Sequence, residues 1–327
     1  MTVDPRGKWS IEVHLPADQL AKSLQEEAAV GLAATPKQLA PTWFYDERGC
    51  ELFEEITALP EYYPTRTERA IIEAHCDEIA AASDATTLVE LGSGTSAKTR
   101  LLLDAFARAG TLRRFVPFDV AEGTLRSASE AVSAEYRGVD VHAVVGDFRE
   151  HLDLLPRGGR RLVAFLGGTI GNFRPSERAE LLSRLAEVLS PGESFLVGTD
   201  LVKDPERLVA AYDDAAGVTA EFNRNVLRVL NHALGADFDV DGFEHVARYN
   251  DDEEWIEMWL RSRRHQQVRV DSLGLGVVFE EGEGMLTEIS AKFRTEAIRA
   301  ELAAAGLSPV ATWTDPAGDF ALTLARR

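Results

Sequence analysis

The chain has 327 residues, 45% of them hydrophobic and 27% charged, a balance that supports a buried core and excludes the low-hydrophobicity, high-charge signature of disorder. Thirty-five Lys and Arg against 54 Asp and Glu give a formal charge of −19, which repels phosphate backbones and anionic membrane surfaces alike. Nucleic acid and membrane are therefore not expected as partners, and a cytoplasmic monomer is.

Residues 1–15 alternate polar and apolar character without the charged-then-apolar pattern of a signal peptide. No apolar run reaches the roughly 18 residues of a membrane span. The two cysteines, Cys50 and Cys76, lack CxxC spacing and read as packed thiols in a reducing compartment. The histidines show no HxxxH or HxH ligand spacing, so no metal is expected.

From residue 86 onward short apolar runs alternate with helical periodicity. Strands are expected at 87–91, 114–119 and 141–147, with helices at 96–108 and 123–136 between them. A strand at 162–166, a helix from Pro175 to residue 189, a Pro191-Gly192 turn and a strand at 194–199 continue the rhythm. This is the signature of βαβ units on a parallel sheet, an α/β fold. The end of the chain adds a helix at 295–305, a stop at Gly306, and strands at 308–314 and 319–325.

The stretch 202–293 interrupts that alternation and is too long and too apolar for a loop. A helix is expected at 205–234 and strands at 254–260, 267–270 and 276–280, with an acidic turn at 251–254. Residues 1–65 plus 202–291 are accordingly expected to form a second, α+β, substrate-binding domain over the carboxyl ends of the sheet. Residues 66–201 plus 292–327 form the cofactor-binding one. Ligands of open α/β sheets bind at those strand ends.

The strongest local signal is Glu90-Leu91-Gly92-Ser93-Gly94-Thr95-Ser96-Ala97-Lys98-Thr99, an apolar strand running into a glycine turn that opens a helix. Gly92 and Gly94 allow the backbone to pass close to a ligand. A dinucleotide fingerprint would need a third glycine. A phosphate-binding P-loop would need glycine before the lysine, where Ala97 stands, and an apolar strand ending in a magnesium-binding Asp, whereas 162–166 runs into Gly167-Gly168-Thr169.

Asp119 and Asp147, each read at a strand end and the second followed by Phe148, suit a ribose diol and an adenine amine with a stacked ring. Taken singly, a strand-end Asp is more often a helix cap or turn former. Both together after the glycine turn, with no pyrophosphate to hold, point to S-adenosylmethionine.

Several motifs in order resemble the histidine-specific Nα-methyltransferases that begin ergothioneine biosynthesis. They are Tyr45-Asp46-Glu47-Arg48-Gly49-Cys50-Glu51-Leu52-Phe53-Glu54, Leu59-Pro60-Glu61-Tyr62-Tyr63-Pro64-Thr65-Arg66-Thr67-Glu68, the glycine turn, and Gly167-Gly168-Thr169-Ile170-Gly171-Asn172-Phe173. Tyr212-Asp213-Asp214, Gly217-Val218-Thr219-Ala220, Phe222-Asn223-Arg224-Asn225 and Glu288-Ile289-Ser290-Ala291-Lys292-Phe293 follow. The resemblance implies a Rossmann-like class I methyltransferase with a seven-stranded sheet.

It also implies that Tyr62, Gly92, Lys98, Asp119, Asp147 and Phe148 contact S-adenosylmethionine, Lys98 near the methionine carboxylate. Asn172 and Tyr212 would hold the carboxylate and amine of free L-histidine, with the Gly167 backbone and Tyr45 near the amine. Catalysis is expected to rest on positioning by Tyr45 and Asn172, with no certain general base. Met258 and Phe53 would fill the apolar remainder. Glu288 and Ser290, two apart on an expected strand, face one side and would accept an imidazole N–H and serve the other ring nitrogen in either role.

Methyl transfer from a sulfonium is an in-line displacement that needs alignment and water exclusion. The resemblance implies three transfers, and aromatic walls would favour the quaternary ammonium product. Two alternatives stay open on sequence: another amino acid or small amine as acceptor, and a non-catalytic module that binds S-adenosylmethionine or histidine.

Overall fold

Strands buried on both faces read as continuous apolar runs, and the runs from residue 87 onward form such a sheet. The computed structural model describes Thr2, Val3 and residues 9–327; residues 1 and 4–8 of the expected N-terminal alternation lie outside the described residues. The chain divides into two compact units, one of residues 1–15, 64–202 and 293–327, the other of 16–63 and 203–292.

The first unit carries a nine-stranded sheet in the order Thr2–Val3, Trp9–Val13, Asp140–Val145, Arg114–Asp119, Thr87–Leu91, Arg161–Phe165, Ser194–Asp200, Phe320–Arg326, Ser308–Thr314. Neighbours from Trp9–Val13 to Ser194–Asp200 are parallel, and the last two strands run antiparallel. Setting aside the two N-terminal strands leaves seven in the doubly wound arrangement of class I methyltransferases. The strand order reverses beside Thr87–Leu91, the position at which open α/β sheets bind ligands.

Three expectations need correction here. Residues 9–13 do not belong with the inserted domain, because Trp9–Val13 pairs in parallel with 141–145 and extends the sheet. The helix after the glycine turn starts at Thr99, not 96, since Ser96 takes a left-handed φ of 54° that no α-helix admits. The third strand stops at Val145, and Asp147 instead caps the short helix Phe148–His151, its carboxylate accepting from Arg149 N at 2.8 Å.

The second unit has a four-stranded sheet in the order Lys37–Gln38, Gly284–Ala291, Trp255–Ser262, Phe243–Asn250, and a separate hairpin of Gln266–Val270 with Leu275–Phe279. Helices Ala17–Ala33, Glu47–Thr57, Pro205–Tyr212 and Val218–Leu234 pack with it around one apolar core that includes Leu52, Phe222, Leu230, Ile256 and Met285. The single helix expected at 205–234 is two: the first ends at Tyr212, and the second opens after Gly217, whose left-handed φ of 76° sets its start. Asp214 then satisfies the freed N–H groups of Val218 and Thr219 at 3.0 and 2.7 Å.

Candidate active site

In the first unit the glycine turn is tied to the neighbouring strand: Gly92 N and Ser93 N donate to Phe118 O at 2.9 and 3.1 Å. Gly94 N donates to Asp119 Oδ2 at 2.8 Å, and Ala121 N to Asp119 Oδ1 at 3.0 Å. Burial pushes the Asp119 carboxyl up against the pull of these backbone donors. A Cβ built on Gly92 or Gly94 would meet no atom within 4 Å, so open space lies over a turn whose positive φ values exclude most side chains. A ligand fits that description of space and backbone.

Beneath the turn lies a second carboxylate, Glu90, which accepts from Ser93 Oγ at 2.8 Å and from Thr99 Oγ1. Burial pushes it up to about 7.

Lys98 is paired with Glu68, a wholly buried residue (0% exposed) on helix Tyr63–Ser83. Glu68 also accepts from Gly167 N at 2.8 and 2.9 Å through its two oxygens. The anion beside Lys98 is thus a protein carboxylate, and the Gly167 N–H is already engaged. Glu68 fits only because residue 198 is glycine: a Cβ there would run into its Oε1.

Asp147 faces the Arg149 guanidinium at 2.7 and 2.9 Å, so the acid expected at the adenine carries its own counter-charge. Phe148 is half-buried, with the rings of Phe165 and Phe173 at 5.1 and 6.0 Å. Asn172 ends the turn of 3-10 helix Thr169–Asn172 and is half-buried.

In the second unit, Asp46 caps helix Glu47–Thr57 by accepting from Gly49 N at 2.7 Å, and Asn225 Nδ2 donates to the same oxygen at 2.7 Å. Gly49 sits where a Cβ would strike Phe44 O. This tight entry sets Tyr45 and Phe53 with ring centroids 5.7 Å apart, and Phe222 lies 5.7 Å from the first and 6.0 Å from the second. Tyr62 joins Phe53 at 6.2 Å and Tyr212 at 6.1 Å.

Strand Gly284–Ala291 carries the polar end. Glu288 pairs across with Met258, and Ser290 with Ile256, which puts Met258 and Glu288 on one face. The register shifts between Met258 and Trp259, leaving Thr287 as the extra residue of a bulge.

Thr287 Oγ1 is held by Asn223 Oδ1 at 2.7 Å and Met258 O at 3.0 Å. Asn223 Nδ2 contacts His245 Nδ1 at 2.8 Å, and His245 Nε2 lies 2.7 Å from Tyr212 O. The partners assign His245 as a neutral ring donating through Nε2, consistent with burial pulling its pKa down.

Glu288 is 9% exposed, and among the described residues nothing donates a hydrogen bond to its carboxylate. Burial pushes it up to about 7, with the Lys292 charge pulling the other way. Ser290 Oγ lies 2.7 Å from the Tyr212 hydroxyl, and Lys292 Nζ donates to both, at 2.9 and 3.0 Å.

A family described as histidine-specific, S-adenosylmethionine-dependent methyltransferases matches residues 24–327. The chain belongs to this family. The histidine N-alpha-methyltransferase of Mycolicibacterium smegmatis is 62% identical over 318 residues, covering 97% of this chain and 99% of that protein. The protein of the same name from Mycobacterium tuberculosis is 59% identical over the same shares. Ergothioneine biosynthesis protein 1 of Neurospora crassa is 32% identical over 288 residues, 85% of this chain and 32% of that larger protein.

In this methyltransferase the expected residues fall into two groups by unit. Gly92, Lys98, Asp119, Asp147, Phe148, Gly167 and Asn172 belong to the first; Tyr45, Phe53, Tyr62, Tyr212, Met258, Glu288 and Ser290 belong to the second. Tyr62 is therefore the one expected cofactor contact outside the cofactor-binding sheet unit. Residues that sequence reasoning did not single out are Glu68, Phe222, Asn223, His245, Thr287 and Lys292. All but His245 and Thr287 stand inside the motifs quoted for the resemblance. Among the described residues no group of three or more His, Cys, Asp or Glu is placed to hold a metal ion, and no helix is long and apolar enough to cross a membrane.

Proposed function

We propose that this protein methylates the α-amino group of free L-histidine in three transfers to Nα,Nα,Nα-trimethylhistidine, the first step of ergothioneine biosynthesis, acting as a cytoplasmic monomer. The observation that carries the choice of histidine is Glu288, a buried carboxylate to which no group among the described residues donates, two residues from the Ser290 hydroxyl on the same strand face. A buried acceptor left open is costly unless a ligand supplies the hydrogen, and an imidazole N–H supplies it.

Gly92, Gly94 and Asp119 are assigned to the cofactor's ribose side and Asp147 with Phe148 to its adenine. Lys98 and Tyr62 are assigned to its amino-acid end. Bound S-adenosylmethionine supplies an electrophilic methyl on a sulfonium whose thioether leaves neutral. Asn172, Tyr212 and the Gly167 backbone are assigned to the substrate's carboxylate and amine. Met258 is assigned to the apolar side of the ring.

The α-amine, with an ordinary pKa of roughly 8, is mostly protonated at neutral pH and must lose a proton before it attacks. Tyr45 stands as the hydroxyl beside the amine through which a water would carry that proton to solvent. As methyls accumulate, the nitrogen becomes a fixed cation. The rings of Tyr45, Phe53 and Phe222, 5.7 to 6.0 Å from one another, offer the faces that attract it.

The test is transfer of labelled methyl to a panel of amino acids, followed by mass analysis of the product. Histidine is expected to be labelled in preference to the rest and to gain three methyl groups. Absence of label on histidine would overturn the reading, and arrest at monomethylhistidine after exhaustive incubation would overturn its threefold part.

A further inference from the structure

Three neighbouring parallel strands, Thr87–Leu91, Arg161–Phe165 and Ser194–Asp200, bring one ion pair to their carboxyl ends. Lys98 follows the glycine turn after the first strand, Gly167 follows the second, and Gly198 lies within the third. Glu68, wholly buried, reaches over Gly198 and joins the other two. Its oxygens take the Gly167 N–H at 2.8 and 2.9 Å and the Lys98 ammonium. That ammonium lies 3.7 Å from where a Cβ would stand on Gly167. Among the described residues neither Glu68 nor Lys98 has a second ion-pair partner.

The residues assigned to the cofactor stand in order across the same edge of the sheet. Asp147 lies beyond strand Asp140–Val145, Asp119 ends strand Arg114–Asp119, and then come the glycine turn, Lys98 and Gly167. A cofactor with its adenine at Asp147 and its ribose at Asp119 therefore turns its methionine end toward the turn and Lys98. That end carries a positive sulfonium, a positive ammonium and a negative carboxylate, and the spent thioether form lacks only the first.

An uncompensated Lys98 would attract the carboxylate of both forms and repel the sulfonium of one. In a buried setting such a charge acts strongly. Glu68 supplies the compensating anion. Glu90 cannot replace it, since burial pushes that carboxyl up to about 7 and leaves it only partly ionised at neutral pH.

We infer that Glu68 is a specificity-determining residue for the charge state of the cofactor: by cancelling the Lys98 charge it lets the site favour the sulfonium over the spent thioether. An ammonium has three donors, so the pairing with Glu68 leaves Lys98 able to donate to the cofactor carboxylate as well. On transfer the methyl departs and the bonding pair stays on sulfur. The positive charge there is lost, and fresh cofactor then displaces the product. The inference rests on the proposed placement of the cofactor and assigns a role to a carboxylate that need not touch it.

The experiment measures, by calorimetry on the full chain without histidine, the affinities for S-adenosylmethionine and S-adenosylhomocysteine, and reads their ratio. Glu68→Gln keeps the shape and removes the charge. The ratio should move about tenfold against S-adenosylmethionine, the order of a unit charge acting over roughly 10 Å at an effective dielectric of roughly 20. Glu68→Asp, one methylene shorter and still charged, should keep the wild-type ratio. Removing the lysine charge as well, in the double variant Glu68→Gln with Lys98→Met, should restore the ratio while weakening both ligands.

A purely structural glutamate would weaken both ligands in parallel in Glu68→Gln, and an unmoved ratio there overturns the inference. So does a double variant that keeps the altered ratio, since the effect would not then run through the Lys98 charge. Should Glu68→Gln not fold, Glu68→Ala, which leaves room for water beside the ammonium, takes its place with the same expected shift. Failure of wild type to bind either ligand would sink the cofactor reading itself, whereas binding with an unmoved ratio in the variants sinks only the role of Glu68.

Discussion

Replacing Glu288 by Gln should make the protein more stable and a poorer histidine binder at the same time. The carboxyl rises from its ordinary 4.5 to about 7 because it is buried, and at 1.36 kcal/mol for each factor of ten this corresponds to about 3 kcal/mol of native-state cost when ionised. The folded protein holds this proton more tightly than the unfolded chain does. The group's stabilising contribution is therefore fully present below 4.5 and is lost as the pH climbs through 7.

Glu288→Gln removes that dependence. Its unfolding midpoint should exceed wild type by several degrees at about pH 8, and the gap should close toward about pH 5. Histidine affinity should fall by about 1–3 kcal/mol, five- to over a hundredfold, since the imidazole N–H loses a charged acceptor. Thermal melts across pH with calorimetric histidine titration read both effects. A variant less stable than wild type at about pH 8, or one with unaltered histidine affinity, would refute the assignment of Glu288 as an acceptor kept open for substrate.

Three further outcomes follow from the first unit. Asp119→Ala should weaken S-adenosylhomocysteine binding by at least tenfold, because it removes both an acceptor and the brace of the Gly94 N–H; unchanged affinity would move the ribose site elsewhere. Gly198→Ala should displace Glu68 and so release Lys98 and the Gly167 N–H. It should lower stability by about 1–3 kcal/mol in urea unfolding and weaken S-adenosylhomocysteine binding with it. Arg161→Met should destabilise by about 3–5 kcal/mol, since Arg161, 1% exposed, reaches Glu193 at 2.6 Å and Val188 O at 2.7 Å and its loss leaves a buried carboxylate unpaired.

The central parallel strands Thr87–Leu91, Arg161–Phe165 and Ser194–Asp200 were legible because each is buried along its whole length. Leu88, Val89 and Leu91 in the first and Phe195, Leu196 and Val197 in the last make the short apolar runs that a sequence reading finds. Phe243–Asn250 was not found: it is half-exposed along nearly all its length, and His245 and Arg248 break any alternation. The break between Tyr212 and Val218 is hidden because the apolar spacing on both sides of it suits a helix, and in sequence only Gly217, left-handed at φ 76°, marks it.

At the site, Glu288 and Ser290 could be placed on one face from spacing alone. Glu68 and Lys292 could not be given roles, since Glu68 finds Lys98 thirty residues away and Lys292 finds Tyr212 eighty residues away. Phe222 is an ordinary core phenylalanine in sequence, and only tertiary packing sets it between Tyr45 and Phe53.

The division of the chain, with junctions at 15/16, 63/64, 202/203 and 292/293, has a consequence during synthesis. Strand Ser194–Asp200 must wait for its neighbour Phe320–Arg326, which lies about 120 residues further along the chain. At about 5–20 residues per second that wait lasts roughly 6–24 s, during which an apolar strand edge stands unpaired on the ribosome. Overexpression should therefore respond to chaperone supply, and truncation before residue 320 should send the product into inclusion bodies.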